Sequence, residues 1–286
     1  MPMTSERILA IIRSRLLKIL AKALPYIYLQ LDKNLCVYFP SDSFGALEEN
    51  LLIGHNIYFD ILSITEADTI IDLGAHAGSF TIYAILYSKP GARIIAVEPS
   101  NNNFIFLLAN LKLFENVIKE KSLEILALKK AVWSYRGVLK FVDVDWSEGG
   151  YVTPSQSVHS KVHVEAITLD DILNLSKGKI LIKMDIEGAE VEVLNSSKEL
   201  NKVHALAIEA HGNEQALIKI LNKHGFKTKI VTYKLNPQLC RYWLRIKPKH
   251  YGIIVALYRF LVSSTVVPTI TLIKAVNAKQ RQLNSK

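Results

Sequence analysis

The chain of 286 residues is poor in several things that would point to common functions. It has two cysteines, Cys36 and Cys240, far apart and without metal-type spacing. That excludes a zinc module or a disulfide scaffold, suits a reducing compartment, and leaves room for one disulfide at most. Acidic residues run out at Glu214, and beyond it come 14 Lys or Arg. The first 214 residues hold 21 basic against 26 acidic groups, so the formal +9 of the whole belongs to one end. Such an end either attracts polyanions such as anionic lipid head groups, nucleic acid or acidic glycans, or is a solvated basic surface. No membrane-spanning helix is read. The uncharged C-terminal run Phe260–Ile273 has 14 residues, short of the roughly 20 that cross a bilayer. Glu6, Arg7, Arg13, Arg15, Lys18 and Lys22 interrupt the N-terminus, which is not a secretory signal. Low-complexity segments and repeats are also missing, and a composition half apolar and 21% charged argues against disorder.

What is present is an alternating text. Residues 5–24 have apolar residues at helical spacing backed by Arg and Lys, a basic amphipathic helix stopped by Pro25. From residue 69, short β-rich runs alternate with helical ones. Strands are expected at Thr69–Leu73, Arg93–Val97, Leu123–Leu128, Ile180–Met184, Ala205–Ile208, Lys227–Tyr233 and Tyr251–Tyr258. Helices are expected at Gly78–Leu86, Asn102–Phe114 (capped by Asn101 or Asn102), Ala189–Leu194 and Glu214–Lys223. This order implies parallel pairing through right-handed crossovers. Gly137–Asp143 and Lys161–Thr168 alternate in polarity and predict a hairpin over the sheet edge, with residues 144–160 as a loop over the site.

Three places carry chemistry. Ile70-Ile71-Asp72-Leu73-Gly74-Ala75-His76-Ala77-Gly78 runs from strand through glycine loop into helix, where glycines admit close approach of a ligand. A dinucleotide fingerprint needs G-x-G-x-x-G; here alanine replaces the second glycine, which disfavours a pyrophosphate and with it a nicotinamide oxidoreductase. Glu98, followed by Pro99, ends the second strand 24 positions after Gly74 and can accept hydrogen bonds from both ribose hydroxyls. Lys183-Met184-Asp185-Ile186-Glu187-Gly188-Ala189-Glu190 and Ile208-Glu209-Ala210-His211 then bring Asp185, Glu187, Glu209 and His211 to the same strand ends.

IDLGAHAG, VEPSNNNF, LKKAVWS, ITLDDIL, IKMDIEGAEVEVL and IEAH, in this order over roughly residues 58–211, resemble the FkbM family of S-adenosylmethionine (SAM)-dependent methyltransferases. The resemblance implies a Rossmann-like class I methyltransferase fold: an α/β domain with a mostly parallel seven-stranded sheet and helices on both faces. It implies SAM as cofactor, held by Asp72, Gly74, His76, Gly78, Glu98, Pro99 and Ala131, and O-methylation of a hydroxyl on a sugar, glycolipid or other small metabolite. His76 stands where family members often carry asparagine.

An alcohol is a weak nucleophile until its proton is taken. His211, which titrates near neutrality, and Asp185 are the expected catalytic groups. Asp185, Glu187 and Glu209 are candidate ligands for Mg²⁺, which would acidify the hydroxyl. The division expected is 1–50 as amphipathic helix and lead-in, 51–258 as methyltransferase domain, and 259–286 as a basic, apolar extension. The partner expected is a small-molecule or glycan acceptor rather than nucleic acid. The location expected is cytoplasmic, with the two ends suited to peripheral membrane association. The competing reading is a non-catalytic membrane-surface or assembly protein on a methyltransferase core.

Overall fold

The computed structural model describes residues 26–32, 35–40, 50, 57–58, 64–142, 151–153, 162–234 and 269–278. Two paired antiparallel strands come first, β1 (Tyr26–Asp32) and β2 (Leu35–Pro40). Alternation follows: β3 (Thr69–Leu73), α1 (Ser79–Tyr87), β4 (Arg93–Val97), α2 (Asn101–Leu113), α3 (Glu115–Glu120) and β5 (Glu124–Leu128). A second group holds β6 (Ala131–Val132), β7 (Gly137–Val142), β8 (Tyr151–Thr153) and β9 (Val162–Ile167). Then come α4 (Leu169–Asn174), β10 (Ile180–Met184), α5 (Glu190–Ser196), β11 (Val203–Glu209), α6 (Glu214–Lys223), β12 (Phe226–Lys234) and β13 (Thr269–Asn277).

The main sheet has seven strands in the order β12-β13-β11-β10-β3-β4-β5. The five from β11 to β5 run parallel, while β13 is antiparallel to both β11 and β12. Parallel strands are covered on both faces and so read as continuous apolar runs; every residue of β3 and β10 is buried. Side chains alternate between faces. Ile70, Ile94 and Leu181 join one core with α1, Phe114 and β2, whereas Ile71, Ile95 and Ile182 join the other with α4, α5 and α6. Helices therefore flank both faces, as expected.

Chain order places the site. From β3 the chain moves outward through β4 to β5, then returns past β3 to build β10 and β11. The reversal opens a crevice between β3 and β10 at the carboxyl ends of the strands, where ligands of open α/β sheets bind. The four-stranded sheet β6-β9-β7-β8 has its own small core of Ala131, Leu139, Phe141, Val164 and Ala166. Its β7–β9 pair is the expected antiparallel hairpin. Part of the intervening segment is itself strand, β8, paired with β7.

Three expectations change. The strand that completes the sheet is Thr269–Asn277, within the segment set apart as 259–286; Tyr251–Tyr258 lies outside the described residues. β13 sits between β11 and β12 and buries Ile270, Leu272, Ile273 and Ala275, so the end of the C-terminal apolar run belongs to the sheet. One of the C-terminal cations goes with it: Lys274 is 1% exposed and donates to the Tyr233 hydroxyl at 2.9 Å. The cap of α2 is Ser100, whose hydroxyl accepts from Asn103 N at 3.4 Å, rather than Asn101 or Asn102. The helix read at 5–24 and most of 144–160 lie outside the described residues. Among the described residues no helix is long and apolar enough to cross a membrane.

Candidate active site at the carboxyl edge of the sheet

The loop after β3 turns on three left-handed residues, Gly74 (φ 75°), His76 (φ 53°) and Gly78 (φ 93°). Gly74 is obligatory for space as well as dihedral: a β-carbon there would lie 1.8 Å from the Asp185 carbonyl oxygen. At Gly78 it would lie 2.8 Å from Leu107 Cδ1, so this glycine lets the start of α1 press against α2. His76 occupies the region that Asn, Asp and His visit more readily than other non-glycine residues. That explains why histidine can stand where the resembling family often has asparagine. The loop is fixed from below, with Gly74 N and Ala75 N both donating to Val97 O at 3.0 Å. Buried Asn110 of α2 donates to Ala77 O at 2.8 Å and to Tyr38 O at 2.7 Å, tying loop, helix and β2 together.

Glu98 ends β4 against this loop and is 5% exposed. Its carboxylate accepts from His76 N at 2.7 Å and from Ser100 N at 2.8 Å. Burial outweighs these bonds and pushes its pKa up to about 7. Each oxygen bonds one backbone donor, and Asn103 adds a side-chain hydrogen bond; the remaining acceptor capacity of the carboxylate is what a ribose hydroxyl needs. Pro99 follows it and leads into the capping Ser100. Ala131 does not share this setting: its side chain is buried in the small-sheet core, paired in register with Ala166. Asp72 also differs from expectation. It is fully buried, accepts from Thr81 Oγ1 at 2.6 Å, and faces Lys183 Nζ at 3.4 Å, so it supports the loop from inside.

Lys183 joins the two motifs. Its ammonium, 4% exposed, donates to Gly74 O at 2.7 Å and lies 3.6 Å from Asp185. It also sits 5.7 Å from the centre of the Tyr58 ring. A charge buried alone would shed its proton, but the carboxylates of Asp72, Asp185 and Glu209 overcome the burial and raise its pKa to about 12. Tyr58 is fully buried, packs edge-on against Phe80, and donates from its hydroxyl to Glu209 at 3.1 Å.

Asp185, Glu187, Glu209 and His211 converge as expected. His211 Nε2 is 3.9 Å from Asp185 and 3.5 Å from Glu187, and Nδ1 is 3.1 Å from Glu190. The surroundings change the role read for His211. Its bond to Glu190, with Asp185 and Glu187 nearby, raises its pKa to about 9 against desolvation. It is therefore an imidazolium at neutral pH, already holding the proton that a base would have to take. Burial, with Asp185 as a like-charged neighbour, raises Glu187 and Glu209 to about 7. Carboxylates with those values can accept a proton near neutrality.

Donor atoms of Asp185, Glu209 and His211 lie within 4.8 Å of one another. The set fits Mg²⁺ poorly. Mg²⁺ demands oxygen ligands in octahedral array; here the third donor of the cluster is an imidazole nitrogen, and the Lys183 ammonium, 3.6 Å from Asp185, competes for the same carboxylate. Three residues of this site were not singled out from the sequence. Lys183 and Glu190 flank Asp185 in one motif, which was the available signal. Tyr58 precedes the alternating text and gave none.

The Methyltransferase FkbM domain model matches residues 72–228, more than half of the chain and all of the crevice except Tyr58. No curated protein matches. Among solved structures, a methyltransferase FkbM from Methylobacillus flagellatus KT is 18% identical with a TM-score of 0.47, over 65% of this chain and 45% of that one. A SAM-dependent O-methyltransferase from Thermotoga maritima is 14% identical with a TM-score of 0.39, over 86% and 67%. TYW2 from M. jannaschii in complex with AdoMet is 13% identical with a TM-score of 0.40, over 88% and 87%. These likenesses are distant, and it is the domain match, laid over a Rossmann-like class I sheet with its glycine loop and strand-end acids in place, that shows this chain to belong to the FkbM methyltransferase domain family.

Proposed function

We propose that the chain transfers a methyl group from SAM to a hydroxyl oxygen of a small-molecule or glycan acceptor at the Asp185–His211 edge. The observation that carries this reading is the carboxylate set Asp185, Glu187 and Glu209 at the mouth of the crevice, beside a glycine loop and a buried Glu98. The residues fit SAM. Glu98 offers acceptor capacity to a ribose diol, and a crevice edge rich in carboxylates favours a cationic ligand over a pyrophosphate.

SAM supplies an electrophilic methyl together with its own leaving group. The protein then has to position the acceptor and deal with its proton. Glu209 or Glu187, raised to about 7, takes that proton near neutral pH. The Tyr58 hydroxyl holds Glu209 in place, and the His211 imidazolium balances the charge of the edge. Lys183 keeps the Gly74 loop and Asp185 at a fixed spacing, so that donor and acceptor sides stay in register.

Labelled-methyl transfer from SAM into extracts of lipids, glycans and small molecules tests the reading. Label should enter a methyl ether, and its formation should fail when Glu209 and Glu187 are both replaced by Gln. Label found only on nitrogen or carbon would overturn the oxygen assignment.

A further inference from the structure

Glu190 is the first residue of a short helix, where an acidic side chain normally faces solvent and the helix dipole. Here it is fully buried. One carboxylate oxygen accepts from Ile186 N at 3.3 Å and Gly188 N at 3.1 Å and meets His211 Nδ1 at 3.1 Å. The other accepts from Asn213 Nδ2 at 3.2 Å. Two of these partners belong to the loop between β10 and α5, which carries Asp185 and Glu187. The other two belong to the loop between β11 and α6, which carries His211. One carboxylate therefore ties both acceptor-side loops together. It also holds the first loop through its left-handed residues, Glu187 (φ 53°) and Gly188 (φ 94°), whose turn presents the Ile186 and Gly188 amides to it.

We infer that Glu190 is the positioning residue of the acceptor edge, fixing which nitrogen of His211 faces the acceptor and how far Asp185 and Glu187 stand from it. A carboxylate at Nδ1 makes that nitrogen the donor and leaves Nε2 directed outward. The partners of Nε2 are Asp185 and Glu187. Of the other charged groups at this edge, Glu209 lies on the strand leading to His211, and Lys183 lies on β10 behind Asp185. Without Glu190 the imidazole is free to rotate about its side-chain bonds, and the two loops lose their common anchor. His211 Nε2 then no longer keeps its place against Asp185 and Glu187.

The inference rests on the proposed methyl transfer for its consequence but not for its geometry, and the test separates the two. The ring nitrogens of His211 are followed by ¹⁵N NMR across pH in the full chain, with and without SAM. In the native protein Nδ1 should carry a proton in the neutral ring as well as in the charged one, because the Glu190 carboxylate faces it at 3.1 Å. In Glu190→Gln, which keeps an oxygen acceptor for the two backbone amides, the neutral His211 ring should exchange between tautomers. The affinity for SAM should stay within about twofold, while turnover falls on the order of tenfold or more, with its pH profile displaced. Glu190→Asp, with the charge restored on a shorter arm, should recover part of the preference for the Nδ1–H tautomer. Should Glu190→Gln fail to fold, the native spectrum still decides: a His211 whose neutral ring is protonated on Nε2 alone overturns the inference. So does a Glu190→Gln protein whose neutral His211 ring keeps the single native tautomer. Absence of methyl transfer in the native enzyme would remove the proposed function and leave the NMR result standing.

Discussion

Gly74 and Asp185, the key residues of two motifs 111 positions apart, meet backbone to backbone: a β-carbon on Gly74 would stand 1.8 Å from the Asp185 carbonyl oxygen. β3 and β10 are neighbours in the sheet, so the cofactor loop and the acid-bearing loop leave it side by side. Asp185 N completes the contact by donating to Leu73 O at 3.0 Å. Gly74→Ala therefore faces both a left-handed dihedral and a collision with backbone that cannot swing aside. The dihedral alone costs about 1–3 kcal/mol. Thermal unfolding should show a loss at least that large, and calorimetry should show SAM binding abolished. A native-like melting curve would refute the contact.

Glu98 should govern SAM affinity without governing the fold. Glu98→Gln can keep one backbone bond through its amide oxygen, but loses an acceptor where a diol would bind. The expected weakening is roughly 1–3 kcal/mol, the scale for a lost or unsatisfied charged hydrogen bond. Equal affinities for the native and variant proteins by calorimetry would exclude the ribose role.

The ligand-free protein should lose stability as pH rises from about 5 to about 9. Glu98, Glu187 and Glu209 are raised from 4.5 to about 7, and His211 from 6.5 to about 9. Each binds more protons folded than unfolded. The carboxylates therefore contribute stability that is fully present below their unfolded value and is lost as pH passes their folded one. His211 behaves the same way over its higher window. Buried Asp72, also raised, acts in the same direction, while His204, lowered by burial, opposes it only on the acid side. Melting temperatures across buffers should decline through this range, and a flat or rising curve would count against the charge assignments. A cationic ligand favours the ionised carboxylates, so SAM binding near pH 7 should release protons. Calorimetry in buffers of different ionisation enthalpy measures that release directly.

The chain should not tolerate removal of residues 269–286. β13 bridges β11 and β12, and its Ile270, Leu272 and Ile273 are buried. Burying a side chain of that size stabilises by about 1.5–3 kcal/mol, and three of them match much of the roughly 5–15 kcal/mol by which a domain is stable. A chain ending at 268 should show no cooperative unfolding transition by circular dichroism, and a native-like melt would refute the role of β13.

Sequence alone determined the alternation of elements, the boundaries of β3, β4 and β10 to the residue, and the strand-end placement of Glu98, Asp185, Glu209 and His211. These are local matters. Buried parallel strands must be short apolar runs, and the first polar residue after each run falls at the sheet's carboxyl edge. Tertiary structure decided what depends on partners distant in the chain. It chose Thr269–Asn277 as the seventh strand, because a strand inserted between two others is specified by its neighbours' edges and not by its own pattern. It brought Tyr58 to Glu209, a contact that no spacing encodes. It turned His211 from an expected base into a held cation, because a side chain's charge follows the field of the groups around it, here Glu190, Asp185 and Glu187, and those are assembled only when β10 and β11 lie side by side.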